Sequence, residues 1–250
     1  MIKQHKLKKL LEESPEKYYW LGFLLADGHF EDKRLSVSLS IKDLQHLEKF
    51  KTFLESSSRI SRNFSTCKGK KYEYCKLSLM DSFSVPLLKQ QYNITNRKTY
   101  EPPNLLNIPD DFLFCLFIGF IDGDGSIQKQ TDRPDCKITI KCHKAWSPIL
   151  SLFNPVVKET KDGYSYISFT KTSVIKEFKQ KAIQFNLPLL ERKWDLVDLN
   201  YNSRYDVALT WQSKAIALYK EGYSLKDIAL TLSKKYITIY MALKRGGYLE

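Results

Sequence analysis

A chain of 250 residues that is 43% hydrophobic is long enough for one large or two small domains with a real core, which excludes a disordered chain. Its 40 Lys and Arg against 28 Asp and Glu leave a net charge of +12, which points to a polyanionic partner, nucleic acid before an acidic membrane. The five cysteines, at positions 67, 75, 115, 136 and 142, form no C-x-x-C pair, and the first residues carry neither a secretory apolar run nor an Arg- and Ser-rich transit pattern, so the expectation is no leader and reduced intracellular thiols without zinc.

Ser14 and Pro15 predict a helix start, with Ser14 as N-cap and proline at the first helical position. The stretch that follows, WLGFLLADG from Trp20 to Gly28, is apolar on nearly every side and therefore predicts a buried helix. Gly28 is expected to stop it in the left-handed conformation, leaving Asp27 in the last turn. Leu35, Val37, Leu39 and Ile41 then alternate with Ser36, Ser38 and Ser40, the pattern of a strand with one apolar and one polar face. Asp43 opens a helix carrying Leu44, Leu47, Phe50 and Phe53 or Leu54 at helical spacing. Arg59 to Phe64 and Tyr72 to Leu79 flank a turn at Lys68, Gly69 and Lys70 and predict a hairpin. Ser82 to Gln91 predicts a short helix, and the loop from Asn93 to Asn107 carries Arg97 and Lys98.

A second buried helix begins at Pro109, Asp110 and Asp111 and ends in FIGFIDGDG, Phe117 to Gly125. Its apolar run, Phe112 to Ile121, is ten residues, too short for a membrane span of about 18 or more. Two hairpins follow: Ser126 to Gln130 with Lys137 to Cys142 across a loop at Asp132 to Asp135, and Val156 to Thr160 with Tyr164 to Thr170 around Asp162 and Gly163. A helix running to Phe153 lies between them. Thr172 to Phe185 is a further helix, and Leu189 to Trp194 carries Arg192 and Lys193. Helix, two strands, helix, two strands, helix therefore occurs twice. The expected fold is α+β, two pseudo-symmetric αββαββα repeats over 1–105 and 106–200, followed by a small all-α unit over 201–250.

Each repeat delivers one aspartate, Asp27 or Asp124, at the C-terminal end of its first helix. The negative pole of a helix disfavours a carboxylate by roughly 0.3–1 kcal/mol unless a cation compensates. Gly22 and Gly119 stand at the same place in the two copies, five residues before each aspartate, and glycine lets two helices cross closely. Two such ends brought together would form a site for a divalent metal ion.

The paired stretches resemble the two motifs of the single-chain LAGLIDADG homing endonucleases, over roughly residues 14 to 200. The second copy fits the pattern more fully, including Asp122; in the first, Leu25 stands where the family often has an acid. The resemblance implies a DNA-binding saddle of sheets with the motif helices crossing at its centre. It also implies a monomeric, site-specific endonuclease that cuts both strands of a long double-stranded DNA target and leaves short 3′ overhangs. Asp27 and Asp124, with the backbone carbonyls of Ala26 and Gly123, are the expected ligands of Mg²⁺, with Mn²⁺ expected to substitute and Ca²⁺ to support binding without cleavage. Lys98 and Lys193 are the expected basic catalytic residues, and Arg97 and Arg192 the expected phosphate contacts. The family's polar water-positioning side chain has only a weak match, Asp43. A catalytically silent transcription regulator and an intron-RNA maturase are the alternatives on the same fold, and the expected location is intracellular, in the compartment of the target DNA, cytoplasm or nucleoid or organelle matrix.

The polar sheet faces supply the expected DNA contacts. They are Ser36, Ser38, Ser40, Arg59, Ser61, Tyr74, Lys76 and Ser78 in the first repeat. In the second they are Ser126, Gln128, Gln130, Arg133, Lys137, Thr139, Lys141, Tyr166, Ser168 and Thr170. Beyond residue 201, helices around Ala215 to Tyr219, Leu225 to Leu232 and Ile237 to Arg245 resemble the homeodomain-like helix-turn-helix of resolvases. That resemblance implies a last helix in the major groove, with Lys234, Lys235, Thr238, Tyr240, Lys244 and Arg245 as contacts.

Overall fold

The structure, a computed structural model, describes residues 6–105, 108–130, 135–201 and 204–249, with the backbone alone for 110, 111 and 204–210. The chain divides into two compact units, Met1–Leu199 and Asn200–Glu250. The first is a mixed α+β unit containing two four-stranded antiparallel sheets.

Its centre is a pair of crossing helices, α1 (Pro15–Asp27) and α4 (Asp110–Asp124). Ser14 caps α1 as its sequence predicts, its hydroxyl accepting from the Lys17 amide at 3.1 Å. The helices approach until backbone meets backbone. A Cβ on Gly22 would lie 1.8 Å from the Leu116 carbonyl oxygen, and one on Gly119 would lie 1.9 Å from that of Tyr19. Around this crossing Tyr19, Trp20, Leu21, Leu24, Phe117, Ile118 and Ile121 are fully buried. Each large apolar side chain so buried is worth about 1.5–3 kcal/mol of transfer free energy.

The stop at each helix corrects one expectation. Gly28 and Gly125 are extended, at φ −74°, ψ 148° and φ −79°, ψ 156°, not left-handed. The chain leaves the helix straight into a strand, and glycine is needed there for space: an added Cβ would stand 2.5 Å from the carbonyl oxygen of Leu24 or Ile121.

The strands that follow α1 are β1 (Gly28–Phe30), β2 (Arg34–Ser40), β3 (Ser61–Cys67) and β4 (Lys70–Met80), in the order β1-β2-β4-β3. Those that follow α4 are β5 (Gly125–Lys129), β6 (Cys136–His143), β7 (Val156–Glu159) and β8 (Tyr164–Phe169), in the order β5-β6-β8-β7. The topology is thus the same in both halves. The apolar faces pair Val37 with Leu77 and Leu39 with Cys75 in one sheet, and Ile138 with Phe169 and Ile140 with Ile167 in the other. Those residues are buried.

Helices α2 (Leu44–Phe53), α3 (Ser84–Tyr92), α6 (Thr172–Gln184) and the single turn α7 (Glu191–Trp194) complete the unit. The helix expected before Phe153 is broken into 3₁₀ turns flanking the four-residue α5 (Ser147–Leu150), and the segment ends at Asn154 with φ 52°.

In the second unit α8 (Arg204–Lys220), α9 (Leu225–Thr231) and α10 (Tyr236–Arg245) enclose a small core of Ala215, Ile228, Ala229, Ile239 and Leu243. Ser224 caps α9 by accepting from the Asp227 amide at 3.2 Å. Among the described residues no helix is long and apolar enough to cross a membrane.

Candidate functional site

Asp27 and Asp124 are the last residues of α1 and α4, the two helices that cross at the centre of the first unit. The carboxylates share one electrostatic environment. Partial enclosure, then the negative charge of Asp124, pushes the Asp27 carboxyl up to about 6. Asp124 stays open to solvent on one side, and the protein around its other side raises it as well. Two anions so placed repel each other, and a cation between them would relieve both charges.

The compensating cations that the helix ends require are lysines. Lys98 Nζ donates to the carbonyls of Leu25 at 2.5 Å and Ala26 at 2.8 Å, at the end of α1. Lys193 Nζ donates to those of Ile121, Asp122, Gly123 and Gly125 at 3.0, 2.6, 3.2 and 2.7 Å, at the end of α4. The last carbonyls of each helix thus receive donors from outside it, and the negative pole is neutralised. Burial lowers both ammonium pKa values and the nearby aspartates oppose the shift, Asp124 and Asp27 for Lys98, Asp122 first for Lys193.

Lys193 is held much more tightly than Lys98. It is 6% exposed and rides on α7. Asp122 fixes that turn by accepting from the Leu190 amide at 3.0 Å and from Trp194 Nε1 at 2.7 Å. Asp122 also accepts from Tyr19 at 2.6 Å. Its carboxyl pKa is still raised by desolvation. Leu25 occupies the corresponding place in the first repeat and offers no carboxylate to the segment that carries Lys98.

Ala26 and Gly123 offer the expected carbonyl oxygens, each already accepting from a lysine, with a second lone pair remaining on each. Among the described residues no group of three His, Cys, Asp or Glu could hold a metal ion. The donor set is therefore two carboxylates with carbonyls. These are hard oxygen donors, which suit a Mg²⁺-like ion whose remaining positions are filled by water and phosphate. A cavity of about 220 Å³ opens beside Asp124, lined by Lys98, Trp146, Lys141, His143 and Tyr164 among others.

Two expected phosphate contacts are already engaged. Arg192 grips Asp43 with Nε and, at 2.6 Å, with Nη2. Arg97 pairs with Glu101 at 3.2 Å on the surface. The weak expectation for Asp43 is corrected by the same contact, because both of its carboxylate oxygens accept from Arg192.

Strand register places the sheet-face residues in rows. Ser38 stands beside Lys76, which stands beside Ser61; Ser40 stands beside Tyr74; and Ser36 stands beside Ser78. Ser36 is a correction: it is 5% exposed, covered between its neighbours on β1 and β4. Arg59 is exposed just before β3. In the second sheet Ser126, Thr139 and Ser168 form one row, Gln128 and Lys137 a second, Lys141 and Tyr166 a third. Gln130 and Thr170 follow the ends of their strands, half-buried and exposed respectively. Arg133 lies outside the described residues. The same rows contain Asn63 opposite Tyr74 and Lys158 opposite Tyr166, which sequence reasoning missed. Only the pairing of neighbouring strands would have found them. In the second unit Lys234, Lys235, Lys244 and Arg245 are exposed, and Thr238 and Tyr240 are half-buried.

No family model matches the sequence, and no curated protein matches it. Solved structures do match the fold. The meganuclease I-SmaMI bound to an uncleavable DNA with a TTGT central four aligns with a TM-score of 0.50 over 88% of this chain and 95% of that one, at 17% identity. The I-SmaMI LAGLIDADG homing endonuclease bound to cleaved DNA aligns with the same TM-score and coverage at 16% identity. The fold is the LAGLIDADG fold. Within it, the two aspartates with their lysines sit where the two halves of the LAGLIDADG fold meet.

Proposed function

We propose that the chain is a site-specific endonuclease that hydrolyses both strands of a long double-stranded DNA target with a divalent ion and leaves short 3′ overhangs. The observation that carries this reading is the pair of aspartates at the ends of two crossing helices, each beside a lysine. The solved structures that share the fold are of a DNA-bound endonuclease, and the net charge of +12 suits the same partner.

Asp27 and Asp124, with the carbonyls of Ala26 and Gly123, would hold Mg²⁺. When bound, such an ion lowers the pKa of the attacking water and stabilises the leaving 3′ oxygen. Lys98 and Lys193 keep positive charge beneath the carboxylates, where it opposes the negative charge that in-line attack builds on the phosphoryl oxygens. The polar rows of the two sheets would track the major groove on either side, with phosphate contacts fixing register and the Ser, Thr, Gln, Tyr and Lys side chains meeting base edges. The helical unit over 201–250 would add a second, linked DNA contact and lengthen the recognised site.

Selection of cleaved sites from a randomised duplex library with Mg²⁺, with Ca²⁺ as a binding-only control, tests the reading. One long, partly degenerate site cut on both strands is expected. Specific retention without cutting in either metal would replace the nuclease with a regulator. Asp124→Asn should abolish double-strand cleavage and leave binding largely intact, and full activity in that variant would sink the metal assignment.

A further inference from the structure

Asp43 and Trp146 occupy the same position in the two repeats. Each is the last residue of the 3₁₀ turn that follows the second strand of its sheet, Ile41–Asp43 after β2 and Lys144–Trp146 after β6. Both are buried, 7% and 3% exposed. Each reaches across to the other repeat and takes hold of the segment that carries the lysine there. Trp146 Nε1 donates to the backbone carbonyls of Lys98 and Thr99 at 3.1 and 3.2 Å. Asp43 accepts from the guanidinium of Arg192, the residue before Lys193. The chemistry of the two contacts differs, an indole N–H on carbonyls in one and a two-pronged ion pair in the other. Their placement does not.

We propose that Asp43 and Trp146 are a pair of cross-repeat positioning residues, each holding in place the lysine that serves the opposite repeat's aspartate. The inference rests on the nuclease reading for its consequence and on geometry alone for the clamp. Lys98 meets the end of α1 only while its own backbone is pinned by a residue of the second repeat. Lys193 meets the end of α4 only while its neighbour is pinned by a residue of the first. Each half of the site is therefore complete only when both repeats are docked, which ties the two strand cuts to one assembled structure.

The test uses the full chain and two conservative variants. Trp146→Phe keeps an aromatic ring against Phe120, whose ring centroid lies 4.8 Å from that of Trp146, and removes the N–H. Asp43→Asn keeps the shape and removes the charge. The first readout needs no DNA: brief acetylation with an N-hydroxysuccinimide ester, with labelling of each lysine read by peptide mass spectrometry. Trp146→Phe should raise labelling of Lys98 about threefold or more and leave Lys193 unchanged, and Asp43→Asn should do the reverse, because each removes only one restraint. Unchanged labelling in both variants, or an equal rise at both lysines in either, overturns the proposal in favour of simple structural support. The second readout is the cleavage rate of each strand of the selected duplex. The two variants should slow opposite strands, by about tenfold each, as small misplacements of a catalytic group do. A parallel loss on both strands overturns the proposal. Should the wild-type chain cut no duplex, the nuclease reading fails by itself and the labelling still decides the clamp.

Discussion

Asp27 and Asp124 stand at the poles where a carboxylate is least welcome, and Lys98 and Lys193 are the reason they can stand there. The two lysines are not equal in this. Lys193 serves four carbonyls and is almost sealed from solvent, whereas Lys98 serves two and is half-buried. Lys193→Met should therefore destabilise the protein by about 2–4 kcal/mol in urea denaturation, and Lys98→Met by about 1 kcal/mol, since the charged donor removed is buried in one case and partly hydrated in the other. Equal losses would contradict the unequal bracing. His46 provides a second prediction. Tyr19 gives its hydroxyl proton to Asp122, so toward His46 Nε2, at 3.1 Å, it can only accept. His46 Nδ1 is then bare, and it is a buried atom without a hydrogen-bond partner. Burial, reinforced by the positive charge of Lys49, pulls the imidazole pKa down to about 3. The folded protein binds this proton less readily than the unfolded chain, so the stability due to neutral His46 is present above about pH 6.5 and is lost as pH falls toward 3, an effect on the order of 4 kcal/mol. His46→Phe should flatten that part of the stability profile, measured as thermal midpoint against pH.

At the scale of elements, the crossing of α1 and α4 depends on two hydrogen atoms in place of side chains. Gly22→Ala or Gly119→Ala would drive a methyl group into a backbone carbonyl that cannot rotate away. Each should cost at least about 3 kcal/mol, at the upper end for overpacking, and a calorimetric scan checks it. The close crossing was legible because glycine recurs at one place in two apolar stretches. The conformation of Gly28 and Gly125 was not, because the same residue serves either a left-handed turn or a tight approach, and only the direction of the next strand distinguishes them. Sheet faces were readable where apolar and polar residues alternate, as from Leu35 to Ser40. The rule failed at Ser36, a polar-face residue that its neighbours on the flanking strands cover. On α1, Lys17 is a charged residue that the fold takes inside. That lysine is fully buried, with its ammonium bonded to Glu13 at 2.9 Å and Tyr92 at 2.7 Å and lying 3.8 Å from the Tyr18 ring centroid.

For the whole molecule, the surplus of positive charge makes affinity for a polyanion depend on salt. Replacing Lys234, Lys235, Lys244 and Arg245 together by alanine in the full chain should weaken binding to the selected duplex. It should also reduce the slope of log K against log salt by about 0.9 for each phosphate that the helical unit no longer neutralises. An unchanged slope would remove that unit from the DNA interface. The sequence by itself determined the duplication, the α+β order of elements and the paired aspartates, because these follow from local periodicity and from repetition along one chain. Tertiary structure alone decided which lysine caps which helix, that Arg192 is held by Asp43, and that Trp146 reaches Lys98. Those contacts join residues 48 to 149 positions apart, and no local pattern of side chains records a partner that the fold brings in from so far along the chain.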